Sequence, residues 1–83
     1  APAVYRALCR AQELWRRGEV GAERIRREVR SVLASEPLVE AIDYICVADA
    51  ETLEELDTVG GRAMVSVAIR LGKLRLIDNI VLE

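Results

Sequence analysis

The side chains of this chain with chemistry to offer are arginines and carboxylates, because it contains no histidine at all. That absence removes the usual general base and the commonest metal ligand. Two apolar runs flank Gly72-Lys73, and in the second of them Asp78 interrupts the row Leu74, Leu76, Ile80, Leu82. A carboxylate in such a row must be hydrogen-bonded, ion-paired, close to a sheet edge or protonated, since burying it bare is costly. Two readings stand. Asp78 accepts backbone N–H groups or an arginine from a helical layer, or it makes a polar contact to a ligand or a neighbouring domain, with Asn79 beside it on the opposite face. Arg70 and Arg75 oppose each other across the same turn, an unfavourable like-charge pair unless an anion or an acidic group sits between them. Glu40, Asp43 and Asp57 are the intramolecular candidates for that place.

The other polar groups read more plainly. Glu51, Glu54, Glu55 and Asp57 lack the alternating ligands and the glycine of a calcium loop and describe a solvated turn, so no metal site is expected. Arg24, Arg26, Arg27 and Arg30 point around a helix at several angles, as a solvated face does. Cys9 and Cys46 fit no zinc or redox spacing and read as small packed side chains in a reducing compartment. No glycine-rich phosphate loop, nucleophile elbow or pair of carboxylates in a cleft is visible.

Eighty-three residues suffice for one small domain over residues 1–83. At 52% hydrophobic, with Tyr5, Trp15 and Tyr44 as the aromatics, the core must be aliphatic. The net charge of −2 divides unevenly: residues 1–36 hold eight Arg and five Glu, whereas residues 37–83 hold four basic and nine acidic groups. Overall acidity argues against a nucleic-acid footprint. No signal peptide and no apolar run of about 18 residues is present, so secretion and membrane spanning are not expected. A chain opening Ala1-Pro2 without Met is expected to be a piece of something longer.

The elements that must position these groups follow from periodicity. Val4, Ala7, Leu8, Ala11, Leu14 and Trp15 recur at helical steps, from Pro2 to a stop near Arg17 and Gly18. A second helix runs from about Ala22 to Ser35 with Ile25, Val29, Val32 and Leu33 inward, exposed i,i+4 pairs Glu23/Arg27 and Arg24/Glu28, and Pro37 beyond its end. Residues 41–48 have strand composition, with Ile45 and Val47 inward and Tyr44 and Cys46 outward. Residues 49–53 turn into a short helical segment, with Thr52 as cap and Leu53 and Leu56 as anchors. The runs about Gly72-Lys73 form a hairpin. Its inward pairs are Leu71/Leu74, Ile69/Leu76, Val67/Asp78, Val65/Ile80 and Ala63/Leu82, and its outer face reaches from Arg62 to Glu83. The expected class is α+β: two N-terminal helices packed on a three-stranded antiparallel sheet, a meander with the 61–71 strand in the middle and a short helical turn between strands 1 and 2.

Five strings in order are specific: Asp43-Tyr44, Asp49-Ala50-Glu51-Thr52-Leu53, Gly61-Arg62-Ala63, Ala68-Ile69-Arg70-Leu71-Gly72, and Arg75-Leu76-Ile77-Asp78-Asn79. Together they resemble the carboxyl-terminal domain of the pantothenate synthetases, the pantoate:β-alanine ligases, over essentially the whole chain. Ala50 stands where that family often has proline. The resemblance implies an ATP-dependent, cytoplasmic ligase of coenzyme A biosynthesis that adenylates pantoate, releases pyrophosphate and joins β-alanine to the acyl adenylate. It implies that the signature motifs, ATP and magnesium belong to an amino-terminal Rossmann-like domain absent here. This domain would be a lid without catalytic residues, inactive alone, inside a homodimeric enzyme. Arg70, Arg75, Asp78 and Asn79 are then the candidates for the face that meets the missing domain. An autonomous interaction or dimerisation module is the alternative expectation.

Overall fold

The computed structural model describes residues 2–82. Glu83, placed on the outer face of the hairpin above, lies outside them. Two helices, α1 (Pro2–Arg16) and α2 (Ala22–Ala34), precede three strands, β1 (Ala41–Asp49), β2 (Ala63–Leu71) and β3 (Leu74–Leu82). The strands pair antiparallel in the order β1-β2-β3, so the sheet is the expected meander.

Helix α1 buries Ala3, Val4, Ala7, Leu8, Ala11 and Leu14, and its alanine spine lets α2 approach closely. It stops where Gly18 takes φ 94°, a conformation that glycine adopts without strain. The N–H of Gly18 then reaches the Trp15 carbonyl (3.0 Å) and that of Glu19 the Leu14 carbonyl (2.9 Å), which satisfies the last carbonyls of the helix. Helix α2 begins at Gly21 without a side-chain cap. Its first free donor, Ala22 N–H, is taken instead by the Asp57 carbonyl at 3.0 Å, and Val59 N–H bonds Val20 at 2.8 Å. The start of α2 is thereby tied to the connection between β1 and β2.

The helices cover one face of the sheet. Ile25, Val29 and Leu33 of α2 meet Val47, Val65, Val67, Ile69 and Leu82 in a core that includes Val59 and excludes water. Register along the hairpin is the expected one, with Val67 opposite Asp78 and Leu71 opposite Leu74. Ile45 and Val47 are buried, while Tyr44 is exposed and Cys46 half-buried. One irregularity was not foreseen: Ile42 pairs with Ile69 and Tyr44 with Ala68, so Asp43 is an extra residue, a β-bulge. The bulge lets Ile42 and Ile45, three apart, both turn toward the helices.

The connection after β1 contracts to a single turn closed by Leu53 N–H on the Asp49 carbonyl (2.9 Å). Asp49 caps it, Oδ1 accepting the N–H groups of Glu51 (2.8 Å) and Thr52 (3.0 Å), and the expected cap Thr52 also contributes, its Oγ1 accepting the Glu54 N–H at 3.3 Å. The bonds that Asp49 accepts, Thr52 first, hold its carboxyl below its ordinary pKa. Leu53 does not anchor the segment. It sits at φ 64° and is 62% exposed, whereas Leu56 packs against the core.

Candidate functional site

The uncovered face of the sheet carries four cross-strand rows. From the hairpin turn inward these are Arg70 with Arg75; Tyr44, Ala68 and Ile77; Cys46, Ser66 and Asn79; and Ala48, Met64 and Val81. Because successive residues of a strand point to opposite sides, every member of these rows faces away from the helices.

The like-charge pair at the first row is resolved by the bulge. Asp43, displaced from the ladder, reaches over to both arginines: Arg70 Nε donates to Oδ1 (3.1 Å) and Oδ2 (3.2 Å), and Arg75 Nε donates to Oδ2 (2.9 Å). Of the three acidic candidates, the one adjacent in space is thus Asp43. Its side chain is 22% exposed, against 59% for Arg70 and 51% for Arg75. Both arginines commit Nε to this carboxylate, and among the described residues no hydrogen bond engages their Nη groups. The result is a pair of guanidinium forks, fixed at the base and open at the tip.

The four candidates therefore do not form one site. Arg70, Arg75 and Asn79 share the outer face, Asn79 two rows away, while Asp78 belongs to the inward series. Asp78 is nonetheless exposed, because β3 is an edge strand and the helical layer does not cover its middle. Its Oδ1 accepts the N–H of the neighbouring Asn79 at 2.8 Å. An inward-pointing charge on an uncovered edge strand is a known guard against edge-to-edge pairing. Asp78→Leu should leave the fold intact and make the chain self-associate with rising concentration along β3, read by light scattering. A variant that stays monomeric would remove this role from Asp78.

The arginines of α2 depart most from the sequence reading. Arg26 is not solvated: its side chain is 14% exposed, and Nη2 donates to the Leu56 carbonyl (2.7 Å) and the Val47 carbonyl (3.5 Å) and pairs with Glu55 (3.0 Å). The i,i+4 pairs expected on α2 are not those that form. Glu23 meets Arg26 at 3.5 Å, and Glu28 turns to Arg10 of α1 at 2.7 Å, a hydrogen bond that holds the Glu28 carboxyl below its ordinary pKa. The acidic turn is exposed as expected, with Glu55 committed to Arg26.

One cavity, of about 460 Å³, lies between α1 and β3, lined by Cys9, Gln12, Glu13, Arg16, Arg17 and Ile80. Arg17 pairs with Glu13 there at 3.2 Å. Partial burial pushes the Cys46 thiol pKa up, helped by Glu55 and opposed by Arg26. Among the described residues no three His, Cys, Asp or Glu side chains gather as metal ligands, and no helix is long and apolar enough to cross a membrane.

Among the described residues these groups offer a charged and apolar surface for contact. The family model described as Pantoate-beta-alanine ligase matches residues 1–81. A pantothenate synthetase of Roseiflexus sp. (strain RS-1) is 47% identical over 83 residues, covering 100% of this chain and 30% of that protein. One from Chloroflexus aurantiacus (strain ATCC 29366 / DSM 635 / J-10-fl) is 50% identical over 84 residues with the same coverages. A solved pantothenate synthetase from Thermus thermophilus superposes with a TM-score of 0.84 at 35% identity, over 96% of this chain and 28% of that one. The chain thus spans about 30% of the length of the relatives it matches.

Proposed function

Because this chain belongs to the pantoate-β-alanine ligase family, we propose that it is the carboxyl-terminal lid domain of an ATP-dependent enzyme that makes pantothenate in the cytoplasm. The match over residues 1–81, set against coverage of 30% of a whole relative, is the observation that carries this reading. In the proposed reaction the pantoate carboxylate attacks the α-phosphorus of ATP and pyrophosphate leaves. The β-alanine amine then attacks the acyl carbon and AMP leaves as the amide forms. Both steps belong to the rest of the intact, homodimeric enzyme. This chain has no histidine, and its described residues gather no ligand set that fits magnesium. Alone it is inactive.

What this domain contributes is closure. An acyl adenylate in contact with bulk water is hydrolysed, and a rigid body folded over the site keeps water out while the amine arrives. The rigidity is supported by a core of buried aliphatic side chains and by the bond from Arg26 to the connection between β1 and β2. Arg70, Arg75 and Asn79 belong to the face that meets the nucleotide domain, with Asp78 at its rim.

The test is stoichiometric. The intact ligase should release one AMP for each pantothenate formed, and the 83-residue chain should release none. An enzyme lacking this stretch should consume ATP in excess of pantothenate, because its adenylate leaks to water. A ratio that stays at one-to-one without the stretch would refute the lid.

A further inference from the structure

Resting on the ligase reading, we infer that the cavity between α1 and β3 binds a small N-acyl amino acid, a molecule with one free carboxylate, an amide and a short aliphatic body. The product of the proposed reaction, an acyl group joined to β-alanine through an amide, belongs to that class.

The charges around the cavity select the carboxylate. Glu13 is engaged twice, accepting from Arg10 Nη1 at 2.6 Å and pairing with Arg17 at 3.2 Å. Arg10 also holds Glu28 at 2.7 Å, so these four side chains cancel. Arg16 lines the same space and has no hydrogen bond or ion pair among the described residues. One uncompensated guanidinium is left, and its planar fork matches a carboxylate in two-point geometry. A metal cation is a poorer occupant, because Glu13, the one carboxylate of the lining, is already neutralised. A dianion is poorer too, since the second arginine of the lining, Arg17, is committed to Glu13.

The remaining walls suit the rest of the molecule. Half-buried Ile80 of β3 supplies an apolar surface, and the Cys9 thiol adds a small polarisable one. Strand β3 is the edge of the sheet, so on its outer side the backbone N–H and C=O groups have no ladder partner among the described strands and can meet an amide. The volume of about 460 Å³ lies within the roughly 300–1,000 Å³ of small-molecule sites.

Cys9 reports on occupancy, because it is exposed and lines the cavity, and Cys46 on the outer sheet face is the internal control. The measurement is a pulse of N-ethylmaleimide on the intact ligase and on the 83-residue chain, with and without pantothenate, followed by peptide mass spectrometry of both sites. A ligand of this size on an open site is expected to bind with a Kd of about 1 mM. At about 10 mM pantothenate, Cys9 labelling should therefore slow about tenfold in both proteins while Cys46 keeps its rate. Arg16→Gln should raise the concentration needed for half-protection about tenfold. Two probes of the natural protein make the same test without a variant. Pantothenol, whose carboxylate is reduced to an alcohol, and β-alanine, which lacks the amide and the acyl body, should both leave Cys9 at its free rate.

An unchanged Cys9 rate with pantothenate would overturn the assignment. Equal protection by pantothenol, or undiminished protection in Arg16→Gln, would remove the carboxylate contact and the proposal with it. Equal protection by β-alanine would mean an adventitious ion only. Slowing of both cysteines together would mean a movement of the domain instead of a filled cavity, and protection confined to the free chain would mean that the rest of the ligase fills it. Labelling needs no turnover, so failure of this site shows in the Cys9 peptide, whereas failure of the ligase reading shows in the absence of pantothenate formation.

Discussion

Arg26→Ala is expected to lower the unfolding free energy by about 2–3 kcal/mol, because it takes a charged donor from buried backbone carbonyls. In a domain of this size that is a fall of roughly 10–20 °C in Tm. The side chain leaves α2 and ends on the carbonyls of Leu56 and Val47 with Glu55 beside it, joining the helical layer to the connection between β1 and β2. Part of the gain is offset already, since Arg26 Nε is buried without a partner. Lysine keeps the charge but cannot fork, so Arg26→Lys should lose most of the same stability. Arg27→Ala, on the exposed side of the same helix, is the control and should be near neutral. Urea denaturation of the three variants decides the matter, and equal midpoints for the Arg26 and Arg27 variants would make the anchor irrelevant.

Ile25→Ala removes more. Ile25 is fully buried between the helices and the sheet, and the loss for truncating such a residue is about 2–5 kcal/mol. A chain of 83 residues has a total stability on the order of 4–12 kcal/mol. The variant should therefore lose a large share of that margin and unfold at a clearly lower urea midpoint than the natural chain. Trp15, half-buried against the core, offers a fluorescence reading of this. Ile77→Ala, on the uncovered face, should leave the free chain's midpoint unchanged within about 0.5 kcal/mol. A loss below about 1 kcal/mol for Ile25→Ala would mean that the core relaxes around the missing carbons.

The hairpin was readable because its signals are local. Gly72, at φ 61°, sets the turn, and the two-residue period of Val65, Val67, Ile69 against Leu74, Leu76, Ile80 then has one register that buries one face. The helices were readable for the same reason, Gly18 and Pro37 marking their ends. Asp43 was not readable as a bulge, because alternation predicts where residues point only while the ladder is regular. The apolar spacing of three from Ile42 to Ile45 was the available sign. Asp78 looked buried by pattern because the pattern cannot tell how far the helical layer extends over an edge strand. Arg26 looked like its neighbours Arg24 and Arg27, and only the placement of Leu56 and Val47, some 20 to 30 residues away along the chain, separates it from them. As for the candidate site, the demand for an acid between Arg70 and Arg75 followed from charge alone, and its identity needed the fold.

The order of the elements also sets a tempo. Each helix or strand touches the one next to it in the chain, and the longest returns are those of α1 to β2 and β3. Such a topology folds on the order of milliseconds. Ribosomes add about 5–20 residues per second, so the domain assembles in less time than it takes to extend the chain by one residue. In the proposed role, each closure over the adenylate would then swing a finished body, and no turnover would bear the entropy of ordering a loose segment.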